Sequence, residues 1–234
     1  MKHTMIRLMR AALVLLACTL TACATLPHPR PAFTPGATVT TLAATVSVSV
    51  RTPDGSTGGN GYLIYRQPDR FHLVMLTPFG TTAMEFFATD DRVTLMLPGK
   101  NVAYVGSFAD LPAKGGMQGW KMMRQVVDGT PLLVPAERNR TEQVETGGRL
   151  TTLTYDGDGL LTRKQAADGE VSYRDYQSID GVPFPAEIEF SDRQGVRVKM
   201  SFEDPDINKP VDDAALTPNL EGMTLLPLAA IKGM

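Results

Sequence analysis

The chain has 234 residues, 43% of them hydrophobic, with 23 Lys plus Arg against 25 Asp plus Glu and a formal net charge of −2. Its length and apolar content suffice for a sizeable core, and its charge balance argues against nucleic acid as a partner. Two cysteines and three histidines are too few for a disulfide framework or a histidine-rich metal centre.

The chain opens with Lys2, Arg7 and Arg10, continues through an apolar run from Ala11 to Leu20, and reaches Leu20-Thr21-Ala22-Cys23. This arrangement resembles the lipobox of bacterial lipoproteins, which implies that residues 1–22 are a removed signal and that Cys23 is acylated as the first residue of the mature chain. The apolar run is shorter than the roughly 20 residues needed to span a bilayer. Cys18 leaves with the signal, so Cys23 is the sole cysteine of the mature chain and no intramolecular disulfide forms. Ala24, rather than Asp, after the lipidated cysteine is similar to an outer-membrane sorting signal, which implies lipid anchoring on the periplasmic face. Loss of the three basic residues leaves 20 Lys plus Arg against 25 Asp plus Glu, a net charge of −5. That charge argues against binding anionic lipid through a basic patch. Pro27, Pro29, Pro31 and Pro35 mark 23–37 as the lipidated cysteine and an extended tether, leaving 38–234 as the folded domain.

Beyond the tether the sequence is dominated by short β-type segments. Val39 to Thr52 alternates, with Leu42, Ala44, Val46, Val48 and Val50 on one face. Asp54-Gly55 and the glycines around Asn60 predict a turn into Tyr62–Arg66. Strands are predicted next at Arg70–Leu76, Ala83–Thr89, Arg92–Leu97 and Asn101–Gly106. After an interruption come Arg140–Thr146, Arg149–Asp156, Leu160–Ala166, Val171–Tyr176, Ala186–Ser191 and Val196–Glu203. Asp158-Gly159, Asp168-Gly169, Asp180-Gly181 and Gln194-Gly195 supply hairpin chemistry between them. In the first half several strands are apolar on both faces: Phe71, Leu73 and Met75 oppose Val74 and Leu76, and Met84 and Phe86 oppose Phe87. Such a sheet needs cover on both sides, from a second layer, a helix or a ligand. The interruption predicts one helix over Gly116–Val127, with Met117, Trp120, Met123 and Val126 on one side, which suits packing on the sheet.

Catalytic chemistry is nearly absent. His3 lies in the signal, His28 in the tether and His72 in a strand, so no histidine pair is available to activate a nucleophile or bind zinc. Asp156-Gly157-Asp158-Gly159 lacks the closing Glu of a calcium loop and reads as a solvated hairpin, and Asp90-Asp91 reads as a turn. The expectation is a protein that is not an enzyme and carries no cofactor or metal.

One turn stands apart. Leu76-Thr77-Pro78-Phe79-Gly80-Thr81-Thr82 has the Pro and Gly of a tight connection but a large aromatic where its tip should be. Two readings follow: an aromatic folded back on the core, or a probe that dips into a membrane or an acyl chain.

The stretch from Arg70 through Thr77-Pro78-Phe79-Gly80-Thr81 to Phe86 resembles the outer-membrane lipoprotein receptor family LolB, within the wider LolA/LolB-like superfamily. Phe184-Pro185-Ala186-Glu187-Ile188-Glu189-Phe190, followed by Asn208-Lys209-Pro210, is similar to the closing part of that superfamily. The resemblance implies a mainly β fold, an incomplete antiparallel β-barrel of about 11 strands with one or more helices covering the mouth of an apolar cavity. It implies a monomeric receptor that takes lipoprotein acyl chains from a periplasmic LolA-like carrier and delivers them to the outer membrane. The family's protruding leucine corresponds to Phe79, flanked by Pro78 and Gly80, as the membrane-insertion loop. Strand pattern assigns Val48, Val50, Phe71, Leu73, Met75, Met84, Phe86, Leu95, Trp120 and Met123 to the acyl-chain cavity. The alternative is an outer-membrane scaffold or assembly lipoprotein that uses the same fold to hold a protein partner.

Overall fold

A computed structural model describes residues 33–111, 138–146 and 149–231. The alternating segments pair into one open sheet: β1 (Thr41–Thr52), β2 (Gly55–Arg66), β3 (Arg70–Leu76), β4 (Thr82–Thr89), β5 (Arg92–Leu97), β6 (Val102–Ser107), β7 (Arg140–Thr146), β8 (Arg149–Tyr155), β9 (Leu161–Gln165), β10 (Gly169–Ile179), β11 (Val182–Asp192), β12 (Arg197–Ile207) and β13 (Thr224–Pro227). The strand order is β13-β6-β5-β4-β3-β2-β1-β12-β11-β10-β9-β8-β7, and the sheet does not close. Neighbours are antiparallel except β13, which runs parallel to β6.

The meander follows from local turn chemistry. Ile179 pairs with Val182 across Asp180 (φ 51°) and Gly181 (φ 80°), the left-handed pair that a two-residue hairpin requires. In the turn after β8, the Asp156 carboxylate accepts the backbone N–H groups of Asp158 and Leu160 at 2.9 and 3.0 Å. Asp192 does the same for Gln194 and Val196 at 2.8 and 2.9 Å.

One expected turn is instead strand. Gly58, Gly59 and Gly61 lie inside β2, which pairs with β1 from Thr52↔Gly55 to Thr41↔Arg66. Close backbone approach is the reason: a Cβ on Gly61 would sit 1.8 Å from Val74 O, and one on Gly58 2.6 Å from Val48 O. The sheet also has more strands than anticipated, because β13 gave no sequence signal. The helix predicted over Gly116–Val127 lies outside the described residues.

Alternation sorts the sheet into two faces. The inner face carries one continuous cluster that runs from Leu95 and Phe86 through Leu73, Leu63 and Val46 to Met200, Ile188, Tyr173 and Tyr155. Phe71 and Phe86 meet edge to face at 6.2 Å, as do Phe184 and Phe202 at 5.2 Å. The outer face of β4, β5 and β6 holds a second, smaller cluster of Phe87, Met96 and Ala103. Its cover is the chain after β12: Leu220 and Met223 pack on it, and β13 then pairs with the outer edge of β6. Leu228 and Ile231 beyond β13 join the inner cluster.

His72 pins this C-terminal segment. Its ring stacks on Phe87 at 3.8 Å, and its two nitrogens face Ala215 O at 2.7 Å and Glu85 Oε2 at 3.0 Å. Arg66 and Arg70 both bond the Asp213 carboxylate, Arg70 at 2.8 Å. These two guanidinium groups hold the Asp213 carboxyl below its ordinary range.

Candidate functional site

The inner face gathers most of the residues assigned to it from strand pattern. Leu73, Phe86 and Leu95 are fully buried, Phe71 and Val48 nearly so, and all five belong to the same cluster. Val50, Met75 and Met84 are partly buried and pack against it. Trp120 and Met123 lie outside the described residues, as does Cys23. Strand pattern in the second half had more to offer: Val198, Met200 and Phe202 alternate on β12, and Phe184, Ile188 and Phe190 line β11 on the same face.

That face is apolar over β3–β5 and β10–β12, and at its β7–β9 end it also carries Arg140, Glu142 and Lys164, with Lys164 Nζ 5.9 Å from the centre of the Tyr173 ring. Burial pushes the Tyr155 phenol up to about 12, with a hydrogen bond to Glu142 and that carboxylate's charge adding to it. Burial raises the Tyr176 phenol still further, and its hydroxyl donates to Leu161 O at 2.7 Å. Both tyrosines therefore remain neutral, each presenting an apolar ring with a satisfied polar tip.

The turn between β3 and β4 is built to hold its tip outward. Gly80 N donates to Thr77 O at 2.9 Å, and Thr77 N donates to Thr81 O at 2.8 Å. Pro78 occupies the position where its fixed φ suits the turn, and Gly80 takes the left-handed conformation at φ 80°. The two threonine hydroxyls meet at 2.8 Å, and Thr77 Oγ1 also accepts the N–H groups of Phe79 and Thr81 at 3.3 Å. With its backbone committed on every side, the turn leaves Phe79 93% exposed. The folded-back alternative is thereby excluded: this aromatic gains nothing from the core.

A feature with no sequence signal lies on the outer face. A cavity of about 700 Å³ opens between β4–β6 and the segment Leu216–Pro218. Its lining mixes Phe87 and Leu216 with Thr94, Ser107, and the opposed charges of Arg70, Arg92, Asp90 and Asp91. Sequence reasoning had no access to it, because it exists only where the C-terminal segment crosses strands more than 100 residues earlier in the chain.

Comparison with known proteins agrees with this geometry. A model of the family described as "Outer membrane lipoprotein LolB" matches residues 41–204. No curated protein sequence matches. Among solved structures, a DUF1329 family protein from Desulfovibrio piger is similar at TM-score 0.52 and 11% identity, over 77% of this chain and 90% of that one. A putative outer membrane lipoprotein-sorting protein domain from Vibrio parahaemolyticus is similar at TM-score 0.50 and 11% identity, over 75% and 88%. A LolA superfamily protein from Nitrosomonas europaea gives TM-score 0.49 and 10% identity, over 76% and 90%. At these identities the likeness to the first two is one of fold.

Proposed function

The chain belongs to the outer membrane lipoprotein LolB family, and from that premise we propose that it receives lipoprotein acyl chains and delivers them to the outer membrane. In this reading the sheet curls about its inner face into an incomplete barrel, since open sheets rarely exceed about 10 strands without curling. The apolar cluster from Leu95 to Tyr155 then forms the wall against which acyl chains lie, bordered at β7–β9 by Arg140, Glu142 and Lys164. Burial of hydrocarbon is the driving force, about 0.8 kcal/mol per CH₂ removed from water. The protein performs no covalent chemistry. Acylation at Cys23 holds it on the periplasmic face of the outer membrane as a monomer, and a LolA-like carrier supplies the cargo.

The single observation that carries the reading is Phe79, a 93% exposed aromatic on a turn whose backbone hydrogen bonds fix it outward. Such a residue gains free energy only by entering something apolar, and a bilayer is what an anchored protein has within reach.

The direct test is transfer of a triacylated lipoprotein from a periplasmic carrier to the protein and on to liposomes. Uptake at micromolar concentration is expected, with Phe79→Glu binding cargo normally and failing to release it into the bilayer. No uptake sinks the receptor role; native mass spectrometry showing an empty chain with a stable protein partner would assign a scaffold instead.

A further inference from the structure

A mature net charge of −5 disfavours an anionic surface as a partner only if the charge is evenly spread, and it is not. Strand register fixes which turns share an end of the sheet. The β1–β2 hairpin, the β3–β4 turn with Phe79, the β5–β6 connection at Lys100 and the β11–β12 turn lie at one end. The β4–β5, β8–β9 and β10–β11 turns lie at the other.

The two ends differ in charge. At the Phe79 end, Arg51 stands directly opposite Arg197 in the β1–β12 register, both exposed. Like charges in that position repel, and such pairs are ordinarily avoided. Arg197 leans on Glu189 at 3.4 Å, while Arg51 has no acidic partner among the described residues. Arg193 is exposed in the adjoining turn, where the acid beside it, Asp192, already accepts two backbone N–H groups. Lys100 is exposed one turn beyond Phe79, and the acids set against this group include Asp54 at the β1–β2 tip, Asp168 in the β9–β10 turn and Glu221 before β13. The opposite end presents Asp90 and Asp91 beside Arg92, Asp158, Asp156 with two backbone N–H groups on its carboxylate, and Asp180 with Lys209 on it at 3.1 Å, and acids outnumber bases in these turns.

We propose that the Phe79 end is a docking surface for a bilayer with anionic phosphate headgroups, in which Arg51, Arg193 and Arg197 bind headgroups beside the inserted Phe79. An anionic leaflet attracts this end and repels the aspartate-rich one, so the same field that holds the protein also orients it. Acylation at Cys23 supplies attachment, so the basic rim beside Phe79 acts on orientation rather than on residence.

The anchor permits this pose. Thr34 N donates to Gly181 O at 2.7 Å, at the end away from Phe79. The strand from Val182 to Phe190, level with Phe79 by register, covers roughly 30 Å. The 11 residues from Cys23 to Thr34 reach about 36–40 Å when fully extended.

The inference rests on the reading of Phe79 as a membrane probe, and the experiment separates the two. The full-length acylated protein is reconstituted into vesicles of phosphatidylcholine alone or with about 30 mol% phosphatidylglycerol. A fluorophore is placed at Gln194→Cys or, as the control at the far end, at Asp91→Cys, and quenching by headgroup-labelled lipid is measured. Phosphatidylglycerol is expected to raise quenching at 194 at least about twofold and leave 91 unchanged. Arg51→Glu with Arg193→Glu returns 194 to the phosphatidylcholine level, as does 1 M salt, where the Debye length falls to about 3 Å. Because the variants are exposed, an unchanged melting curve confirms that they fold.

Equal quenching in both vesicles, or quenching indifferent to the reversals, overturns the docking surface even if Phe79→Glu abolishes delivery. Headgroup-dependent quenching at 194 with Phe79→Glu still competent in delivery leaves the surface standing and removes the probe. Reversals that slow uptake from the carrier without altering quenching assign these arginines to a protein partner and overturn the proposal.

Discussion

Over β4, β5 and β6 the outer face of the sheet carries Phe87, Met96 and Ala103 and is covered by Leu220 and Met223. Over β10, β11 and β12 the same face is an array of charges: Glu187 bonds Lys199 at 2.5 Å and Arg174 at 3.1 Å, and Glu189 bonds Arg197 at 3.4 Å. The inner face is apolar across both halves. The difference teaches that the inner cluster is the constant of this sheet, and that the outer face is apolar only where the chain returns to cover it. A double-faced apolar strand therefore reports a layer of the protein itself, and a single-faced one reports solvent.

The sharpest way to break that comparison is to cut into the shared inner face. Phe86 is fully buried and packs edge to face with Phe71. Phe86→Ala is expected to cost about 3–5 kcal/mol, read as a fall in urea midpoint at unchanged m-value. A loss below about 1 kcal/mol would mean that the inner face tolerates a void and is not a packed core.

Next in size is the cover on the outer face. Leu216 is 1% exposed in the short 3₁₀ turn Ala214–Leu216, beside Thr217, whose hydroxyl is 3.4 Å from Arg70 Nη2. Leu216→Ala is expected to cost about 2–5 kcal/mol. At about 2–4 °C per kcal/mol for a domain of this size, the loss is visible in a melting curve. Hydrogen exchange should show β4–β6 losing protection before β10–β12, whose outer face needs no cover. Uniform loss would erase the distinction between the halves.

These two layers were not equally legible in the sequence. Strand alternation placed Phe71, Leu73, Met75, Met84, Phe86 and Leu95 on one face and Phe87 on the other, because period 2 is local information. The same holds for Thr77–Thr81, whose Pro78 and Gly80 specify the turn without outside help. What covers Phe87 was not local: β13 is four residues long and its pairing with Val102–Val105 joins positions about 120 residues apart. The glycines of β2 misled for a related reason. Glycine in isolation signals a turn, and only the approach of Val74 and Val48 shows why nothing larger fits. The outer cavity, made by two such distant segments, was invisible on the same ground.

The charged half offers a smaller effect with a sign. Hydrogen bonding from Lys199 lowers the Glu187 carboxyl, against the opposing effect of burial, and the charges of Lys199 and Arg174 add to the lowering. A carboxyl depressed in the folded state stabilises it fully above the ordinary value of 4.5 and ceases to do so as pH falls through the depressed value. Between the ordinary value and the depressed one, wild-type stability should therefore fall more steeply with falling pH than the stability of Glu187→Gln, whose amide does not titrate. Parallel acid titrations of the two proteins, followed by circular dichroism, check this. A variant that loses stability just as steeply would show that the array contributes nothing to the fold.

The smallest expected effect is the one that separates folding from function. Phe79 has the bulk of Phe86 and stands only seven positions before it, yet one is 93% exposed and the other 0%. Phe79→Ser should change stability by no more than about 0.5 kcal/mol, since the turn is held by Thr77, Gly80 and Thr81 rather than by the ring. A loss of about 2 kcal/mol or more would mean that the ring packs on something in solution, and its proposed work in the membrane would lose its physical basis. A neutral result in solution, joined to failed delivery into liposomes, would place the whole contribution of this aromatic outside the folded protein, where a membrane probe has to act.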